Sequence, residues 1–310
     1  MSLIGKLAKE LNKTELEIAQ FLAGAPLKYK VYKIPKRTSG HRVIAQPSKE
    51  LKEYQRAFLS LYSLNIHDAA MAYRKGLSIK DNANKHKHNG YLLKLDLENF
   101  FNSITSDIFW TVWKKHYDIP SDEEKVLMER LLFWSPSKSS SGKLILSVGA
   151  PSSPMLSNFF MHQFDVAVSE ICTSQNIIYT RYADDLTFST RHKDILFNIP
   201  KVVAAKLKEH FGHALNVNRR KTVFSSKGHN RHVTGITIDN KSDLSLGRER
   251  KRYIKHLVHQ YQLKKLDKEN VFHLKGLLAF AKHIEPKFIT SLEAKYSANL
   301  ITQIFEENYE

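Results

Sequence analysis

The sequence has almost no cysteine and no long uncharged apolar run. Cys172 is the single cysteine in 310 residues, which excludes an intramolecular disulfide framework and any zinc site built from several cysteines. The N-terminus reaches charged residues too soon for a secretory signal, and no later stretch is apolar enough to span a bilayer. We therefore expect a cytoplasmic protein, without a membrane partner, in a reducing compartment.

Acidic residues are also scarce relative to basic ones. The chain has 48 Lys and Arg against 31 Asp and Glu, a formal charge of +17 and a pI near 9.7. Such an excess attracts polyanions. Because 42% of the residues are hydrophobic, the chain can also bury a real core, and its length allows two or three subdomains. The composition predicts a folded protein with a nucleic-acid partner.

Three of the few aspartates stand where strands are predicted to end. Residues 179–189 alternate apolar and polar side chains around Asp184 and Asp185, which predicts a tight β-hairpin with two carboxylates at its turn. Asp96 ends a short apolar strand at 91–96. Adjacent carboxylates repel unless a cation neutralises them, and hard oxygen ligands suit Mg²⁺. The pattern predicts that Asp96, Asp184 and Asp185 hold two Mg²⁺ ions for phosphoryl transfer.

Periodicity and turn residues predict the surrounding elements. Residues 3–23 read as two short amphipathic helices with a capping box from Thr14 to Glu17, and residues 29–44 read as a β-hairpin turning at 38–40. The hairpin arms are basic, with Lys30, Lys33, Lys36, Arg37 and Arg42.

Later segments continue this alternation of helices and strands. We predict a helix at 49–64, a polar stretch at 81–88, a capping box from Ser121 to Glu124 opening a helix to 133, a Ser-rich loop at 135–143, a proline turn at 149–154 before a buried helix, a helix at 193–211, a strand at 233–238, and helices after 246 that start with a basic run.

The order of these pieces resembles a reverse transcriptase over roughly residues 29–310. The box Tyr182, Ala183, Asp184, Asp185 carries most of the resemblance. An Asn-Ala-x-x-His element at 82–86 and a Val-Thr-Gly element at 233–235 are similar to those of bacterial retron reverse transcriptases. The resemblance implies an α+β right-hand polymerase. Its expected domains are an N-terminal helical extension at 1–28, fingers with a basic β-hairpin at 29–90, a palm of antiparallel sheet plus helices at 91–240 with a helical and loop insertion at 110–148, and a helical thumb at 241–310.

The retron resemblance also implies an activity and partners. Such an enzyme is an RNA-directed DNA polymerase that uses Mg²⁺ and deoxynucleoside triphosphates to make single-stranded DNA on a cognate structured non-coding RNA. Synthesis is expected to start from the 2′-hydroxyl of an internal guanosine, which leaves a branched RNA–DNA product. A separate effector or toxin protein and a role in phage defence complete the expectation.

Residue roles follow by matching positions to the family motifs. The carbonyl of Leu97 is expected to join the three aspartates as a metal ligand, Lys221 to protonate pyrophosphate, and Phe101 to exclude a nucleotide 2′-hydroxyl. Expected nucleotide contacts are Lys33 and Arg42 on the triphosphate and Ala150 and Pro151 under the templating base pair, whereas expected RNA contacts are Asn82, His86, Val233, Thr234, Gly235, Lys251, Arg252 and Lys255. One departure is Val148, where many relatives carry glutamine.

Alternatives remain at this point. A group II intron-like, diversity-generating or CRISPR-linked reverse transcriptase would share the palm chemistry. A catalytically silent RNA-binding scaffold or antitoxin would share the fold, but the presence of Asp96, Asp184 and Asp185 argues against it. The chain ends soon after the predicted thumb, which favours the compact retron form.

Overall fold

The computed structural model describes residues 2–35, 40–139 and 142–307. In these ranges the α-helices are α1 Leu3–Leu11, α2 Glu15–Ala23, α3 Lys49–Leu61, α4 Ile79–His86, α5 Phe100–Ser103, α6 Ser106–Trp113, α7 Asp122–Leu132, α8 Ser153–Phe160, α9 His162–Ser174, α10 Ile199–Phe211, α11 Arg248–Gln262, α12 Lys268–Ile284, α13 Pro286–Tyr296 and α14 Ala298–Glu306. The strands are β1 Tyr29–Pro35, β2 His41–Pro47, β3 Tyr91–Asp96, β4 Ile178–Tyr182, β5 Asp185–Thr190, β6 Val223–Ser226, β7 Arg231–Val233, β8 Ile236–Ile238 and β9 Leu244–Ser245.

Antiparallel pairing organises these strands into separate sheets. The central sheet has the order β4-β5-β3-β6, β1 pairs with β2, and β7, β8 and β9 form a third sheet. Helices and antiparallel sheets in one chain confirm the predicted α+β class. Within the described ranges, no helix is long and apolar enough to cross a membrane.

The main hydrophobic core joins the N-terminal helices to the central sheet. Leu7 and Ile18 are fully buried in the same cluster as Phe58, Phe159 and Phe188. The first two helices, predicted as an extension, are thus packed into the body of the protein.

Both predicted capping boxes can be compared with the structure. Thr14 and Glu17 make the full reciprocal pair. Ser121 accepts a hydrogen bond from the N–H of Glu124, but the Glu124 carboxylate instead accepts from the N–H of Leu3, 2.7 Å away. The second box is therefore half made, because its acidic member anchors the start of α1.

A second core unites the three-stranded sheet with the C-terminal helices. Its buried members include Val233, Ile236, Ile254, Leu278 and Ile301. The predicted domain boundary at residue 240 passes between β8 and β9 of this sheet. The division of the chain into fingers, palm and thumb stays a prediction.

Several predicted elements need correction. The single strand predicted at 233–238 is wrong, because Thr234 and Gly235 have φ of 47° and 79° and form the turn between β7 and β8. Both central residues of a type I′ hairpin turn need positive φ. The polar stretch at 81–88 largely forms α4, with a capping box between Ser78 and Asp81. The helix predicted at 193–211 begins at Ile199, after a 3₁₀ turn at Ile195–Asn198. Residues 36–39 of the predicted hairpin lie outside the described ranges.

Candidate active site

Backbone pairing brings the three predicted aspartates together. Asp96 at the end of β3 lies directly opposite Asp185 at the start of β5, and the N–H of Leu97 donates to the carbonyl of Asp184 at 3.0 Å. Tyr182 pairs with Asp185, so Ala183 and Asp184 form a two-residue turn in which Ala183 has a φ of 58°. The predicted carboxylate hairpin is therefore present, and Asp96 stands beside it.

Lys221 reaches this cluster from the segment before β6. The N–H of Asn218 donates to the Asp96 carbonyl at 2.7 Å, which holds the 3₁₀ turn Arg219–Lys221 against β3. The Lys221 ammonium lies 2.9 Å from both carboxylate oxygens of Asp96. This contact raises the pKa of Lys221, so the side chain is a cationic partner of Asp96. Its predicted role as a proton donor requires that it leave Asp96.

The other two carboxylates are held at an electrostatic cost. Burial raises the pKa of Asp184, and the negative charge of Asp96 raises it further. Partial burial and the charges of Asp184 and Asp96 raise the pKa of Asp185 to about 6. Carboxylates whose ionised form is disfavoured in this way gain stability from a nearby cation.

The donor chemistry of this cluster fits divalent cations. Its donors are carboxylate oxygens, with the Leu97 main chain alongside, and such hard ligands suit Mg²⁺. Across residues 2–35, 40–139 and 142–307, however, no three Asp, Glu, His or Cys side chains stand in a preformed metal-binding group. Lys221 contacts both Asp96 oxygens, which are the donors that a metal would use.

A cavity of about 360 Å³ is lined by the predicted nucleotide-contacting residues Phe101, Ala150 and Pro151. The ring of Tyr73 faces that of Phe101 edge-on, with their centroids 6.5 Å apart. Gly149 also lines this cavity. Its φ is 132°, and a Cβ atom added there would lie 3.1 Å from the Ala45 carbonyl oxygen, so the position favours glycine. The N–H of Ala45 donates to the Val148 carbonyl at 3.0 Å, so the turn is fastened to β2.

The basic hairpin presents Lys33 and Arg42 differently from the expectation. Lys33 pairs with Val43, and Arg42 pairs with Ile34. Directly opposed residues share a face of an antiparallel ladder, so Lys33 and Arg42 project from opposite faces. Burial raises the pKa of both Asp184 and Tyr73, and the charge of Arg42 partly offsets this rise, which indicates that Arg42 lies on the side of the aspartates. The triphosphate contacts of Lys33 and Arg42 stay predictions, and the two side chains project from opposite faces of the hairpin.

Asn82 and His86 are fully buried, which corrects the expectation that they contact RNA. The two ring nitrogens of His86 hydrogen-bond to the hydroxyls of Ser189 and Thr180, each at 2.7 Å. Thr180 in turn donates to the Asn82 side-chain oxygen at 2.6 Å. Burial lowers the pKa of His86 to about 3, so its imidazole is neutral. The Asn-Ala-x-x-His element thus fastens α4 across the carboxylate hairpin.

The Val-Thr-Gly element is divided between core and surface. Val233 is fully buried, which is inconsistent with the expected direct RNA contact of its side chain. Gly235, in contrast, is exposed. The Thr234 hydroxyl donates to the Ile79 carbonyl at 3.2 Å and so joins the turn to α4. Gly235 borders a cavity of about 780 Å³ that is also lined by arginines of the first turns of α11, among them Arg252.

The thumb lysines and arginine predicted to bind RNA are not equivalent. Lys251 forms an ion pair with Glu285, which also accepts hydrogen bonds from the Ser245 hydroxyl and the N–H of Leu246. Arg252 and Lys255 are exposed. Lys251 therefore has a structural partner, and the two exposed cations are the better placed for phosphates.

Sequence reasoning missed a buried network behind the hairpin. Arg181 is fully buried and pairs with the fully buried Asp165 at 2.6 Å. Sequence reasoning also missed Tyr73, Lys52 and Arg56, which line the cavity together with Phe101. A signal existed for Asp165, because it shares a helix face with Val168 and Cys172, and a carboxylate on an apolar face requires a buried cationic partner.

Comparisons with known proteins agree with this geometry. Residues 34–238 match the family described as reverse transcriptase (RNA-dependent DNA polymerase). The Escherichia coli retron Ec83 reverse transcriptase is 50% identical over 279 residues, covering 89% of each chain. The Escherichia coli retron Ec86 reverse transcriptase is 30% identical over 293 residues, covering 89% of this chain and 84% of that one.

A solved structure shares the fold at low sequence identity. The telomerase of Candida albicans, in complex with a fragment of telomeric RNA, matches with a TM-score of 0.50 and 13% identity over 90% of this chain and 61% of that one. This likeness confirms the predicted reverse-transcriptase fold. Together with the family match and the retron relatives, it leads to one conclusion. The chain belongs to the reverse transcriptase family and is an RNA-directed DNA polymerase of the retron type.

Proposed function

We propose that this polymerase copies part of a cognate structured RNA into single-stranded DNA, starting from the 2′-hydroxyl of an internal guanosine and leaving a branched RNA–DNA molecule. The proposal rests on the convergence of Asp96, Asp184 and Asp185 at the ends of β3 and β5, beside the cavity containing Phe101. The retron relatives support the RNA partner, and the branched product follows from the family resemblance alone. A separate effector protein and a role in phage defence belong to the same proposal.

The chemical step is a nucleotidyl transfer. The priming hydroxyl oxygen attacks the α-phosphorus of a deoxynucleoside triphosphate, the bond from that phosphorus to the pyrophosphate oxygen breaks, and the hydroxyl proton is released. Two Mg²⁺ ions held by the three aspartates and the Leu97 carbonyl would acidify the hydroxyl and neutralise the triphosphate. Arg42 is placed to add positive charge, and Lys221, released from Asp96, to protonate the leaving pyrophosphate.

Aromatic residues in the cavity account for the choice of sugar. Phe101 is partly buried, and its neighbours Phe100 and Tyr73 lie with ring centroids 5.4 and 6.5 Å away. A ring supported in this way is rigid enough to reject a ribonucleotide 2′-hydroxyl by steric exclusion. Ala150 and Pro151 present a small-residue surface of the same cavity to the templating base pair.

Nucleic-acid contacts are proposed for the exposed basic residues. Gly235, Arg252 and Lys255 are exposed, and Gly235 and Arg252 share one cavity. Backbone phosphates bind such surfaces through charge, so the contact with the RNA or its duplex should be salt-dependent.

Extraction of the nucleic acid that co-purifies with the protein from its native host tests the branched product. Samples are treated separately with RNase, DNase and a 2′,5′-debranching enzyme. A branched RNA–DNA molecule that is present with the parent protein and absent with an Asp184→Asn, Asp185→Asn variant supports the proposal. Unbranched RNA alone would contradict it and would favour a scaffold or another reverse-transcriptase class.

A further inference from the structure

A fully buried ion pair lies directly behind the catalytic turn. Arg181 and Asp165 both have 0% side-chain exposure. The Arg181 Nε and Nη2 atoms donate to the Asp165 carboxylate at 2.6–3.2 Å, and the Tyr179 hydroxyl donates to the same carboxylate at 2.7 Å. Apolar residues of similar volume often stabilise a fold at least as well as such a pair. Its presence beneath a catalytic turn therefore calls for a role beyond stability.

The third nitrogen of the guanidinium is directed at the turn itself. Arg181 Nη1 donates to the carbonyl of Ala183 at 3.1 Å. Ala183 has a left-handed φ of 58°, which a non-glycine residue adopts only when its surroundings impose it. The hydrogen bond fixes the peptide that joins Ala183 to Asp184, and therefore the direction in which the chain presents both adjacent aspartates.

The same nitrogen connects the turn to the nucleotide cavity. Nη1 also donates to the Asn158 side-chain oxygen at 3.1 Å, and Asn158 Nδ2 donates to the carbonyl of Ala72 at 2.8 Å. The Arg181 main chain bonds to the same segment, since its N–H donates to the Ala69 carbonyl at 2.7 Å and its carbonyl accepts from Met71 at 2.8 Å. The residue after Ala72 is Tyr73, which lines the cavity beside Phe101.

We propose that Arg181 is a positioning residue for DNA synthesis, holding the Ala183 carbonyl and the 69–72 segment so that the aspartates and the nucleotide cavity keep a fixed relation. The proposal rests on the assignment of Asp184 and Asp185 as catalytic. Asp165 orients the guanidinium, and Asn158 relays its position to Ala72.

Replacement of Arg181 by lysine is the sharpest test. Lysine keeps a cation opposite Asp165 but lacks the planar fork that reaches Ala183 and Asn158 at once. We expect kcat for DNA synthesis to fall roughly 10- to 100-fold, because displacements of about 1 Å at a reacting centre have effects of this size. The Mg²⁺ concentration for half-maximal rate should rise, the increase in Tm on adding Mg²⁺ should shrink, and RNA affinity should stay unchanged.

Tyr179→Phe provides the matched control. It removes one hydrogen bond to Asp165 and leaves the hydrogen bonds of Arg181 to Asp165, Asn158 and Ala183 in place. A lower Tm with parental kcat and parental Mg²⁺ dependence is expected. A folded Arg181→Lys protein that behaves like this control would overturn the positioning role.

Two further variants keep the proposal testable if Arg181→Lys does not fold. The combination Asp165→Leu, Tyr179→Phe, Arg181→Met replaces the pair by apolar side chains, and a folded triple variant with parental kcat would refute the proposal. Asn158→Ala leaves the ion pair intact, and we expect a several-fold higher KM for the deoxynucleotide with a smaller change in kcat. An unchanged KM would refute the link to Tyr73. A failure of the proposed function can be told apart from a failure of this positioning role, because the parent protein itself would then show no DNA synthesis that depends on Asp185.

Discussion

Replacing Asp185 by asparagine should stabilise the protein when divalent metal is absent, even though it removes a residue proposed for catalysis. Partial burial and the charges of Asp184 and Asp96 raise the pKa of Asp185 from 3.8 to about 6. A shift of this size would correspond to about 3 kcal/mol for a fully buried group. Asp185 keeps part of its surface in contact with solvent, so solvent screening reduces the expected effect to about 1 kcal/mol. For a chain of 310 residues that corresponds to a Tm about 1–2 °C higher for the variant.

The pH dependence of this effect has a definite sign. Because the folded-state pKa lies above the unfolded value, the unfolded chain loses its proton first as pH rises, and the folded state is progressively destabilised. The cost begins near the unfolded pKa of 3.8 and is complete above about pH 6. The Tm difference between Asp185→Asn and the parent should therefore grow from pH 4 to pH 6 and stay constant above it.

Thermal unfolding in EDTA from pH 4 to pH 8 measures this directly. Asp122→Asn is a control in which the pKa shift has the opposite sign, since the Lys125 ammonium lowers the pKa of Asp122. Removal of the Asp122 charge should therefore not stabilise the protein. Addition of Mg²⁺ should raise the Tm of the parent more than that of Asp185→Asn. A variant that is less stable than the parent in EDTA at pH 7, or a difference independent of pH, would refute the electrostatic reasoning.

Three further predictions follow from the described contacts. Phe101→Ala should raise the incorporation of ribonucleotides relative to deoxynucleotides at least tenfold in a primer-extension assay, and unchanged selectivity would remove Phe101 from the sugar site. Arg252→Glu with Lys255→Glu should weaken RNA binding and lower the slope of log affinity against log salt concentration by about two or more. Lys251→Glu should instead mainly lower Tm, because it loses its pairing with Glu285. Equal slopes for all variants would place the RNA elsewhere. His86→Ala should cost about 2–4 kcal/mol of unfolding free energy, measured by urea titration, because it leaves a cavity and removes one hydrogen-bond partner from each of two buried hydroxyls. A reduced RNA affinity of the folded His86→Ala protein would contradict its purely structural role.

Local patterns were enough to predict the carboxylate hairpin and several helices. Alternation on both sides of Ala183 and Asp184 is a short-range signal, and the turn that it predicts is present. The Thr14 to Glu17 capping box depends on residues three apart, and it is complete in the structure. Such features need no knowledge of distant partners.

Features that depend on distant partners were not predictable. Glu124 has the spacing of a capping box but bonds to Leu3, far away in sequence. Lys33 and Arg42 were both expected to contact the triphosphate, yet the strand register directs them to opposite faces. A sequence without a known loop length does not fix this register. The polar character of His86 suggested exposure, whereas hydroxyls from the central sheet satisfy both its nitrogens in the interior.

Arg181, which directly precedes the Tyr-Ala-Asp-Asp box, illustrates the same limit. Arg181 stands on a strand among polar and apolar neighbours, and charge alone would place it at the surface. Only the packing of α9 against β4 brings Asp165 to it. Its contact with Ala183, two residues later, depends on that long-range pairing.

The most direct test of the central claim is DNA synthesis by the purified protein on an RNA template, with and without the carboxylates of the hairpin. The account predicts deoxynucleotide incorporation that requires Mg²⁺ and the RNA template, and its loss in Asp185→Asn with RNA affinity retained. Sustained synthesis by a folded Asp185→Asn protein would contradict the assignment of the carboxylate cluster as the catalytic centre.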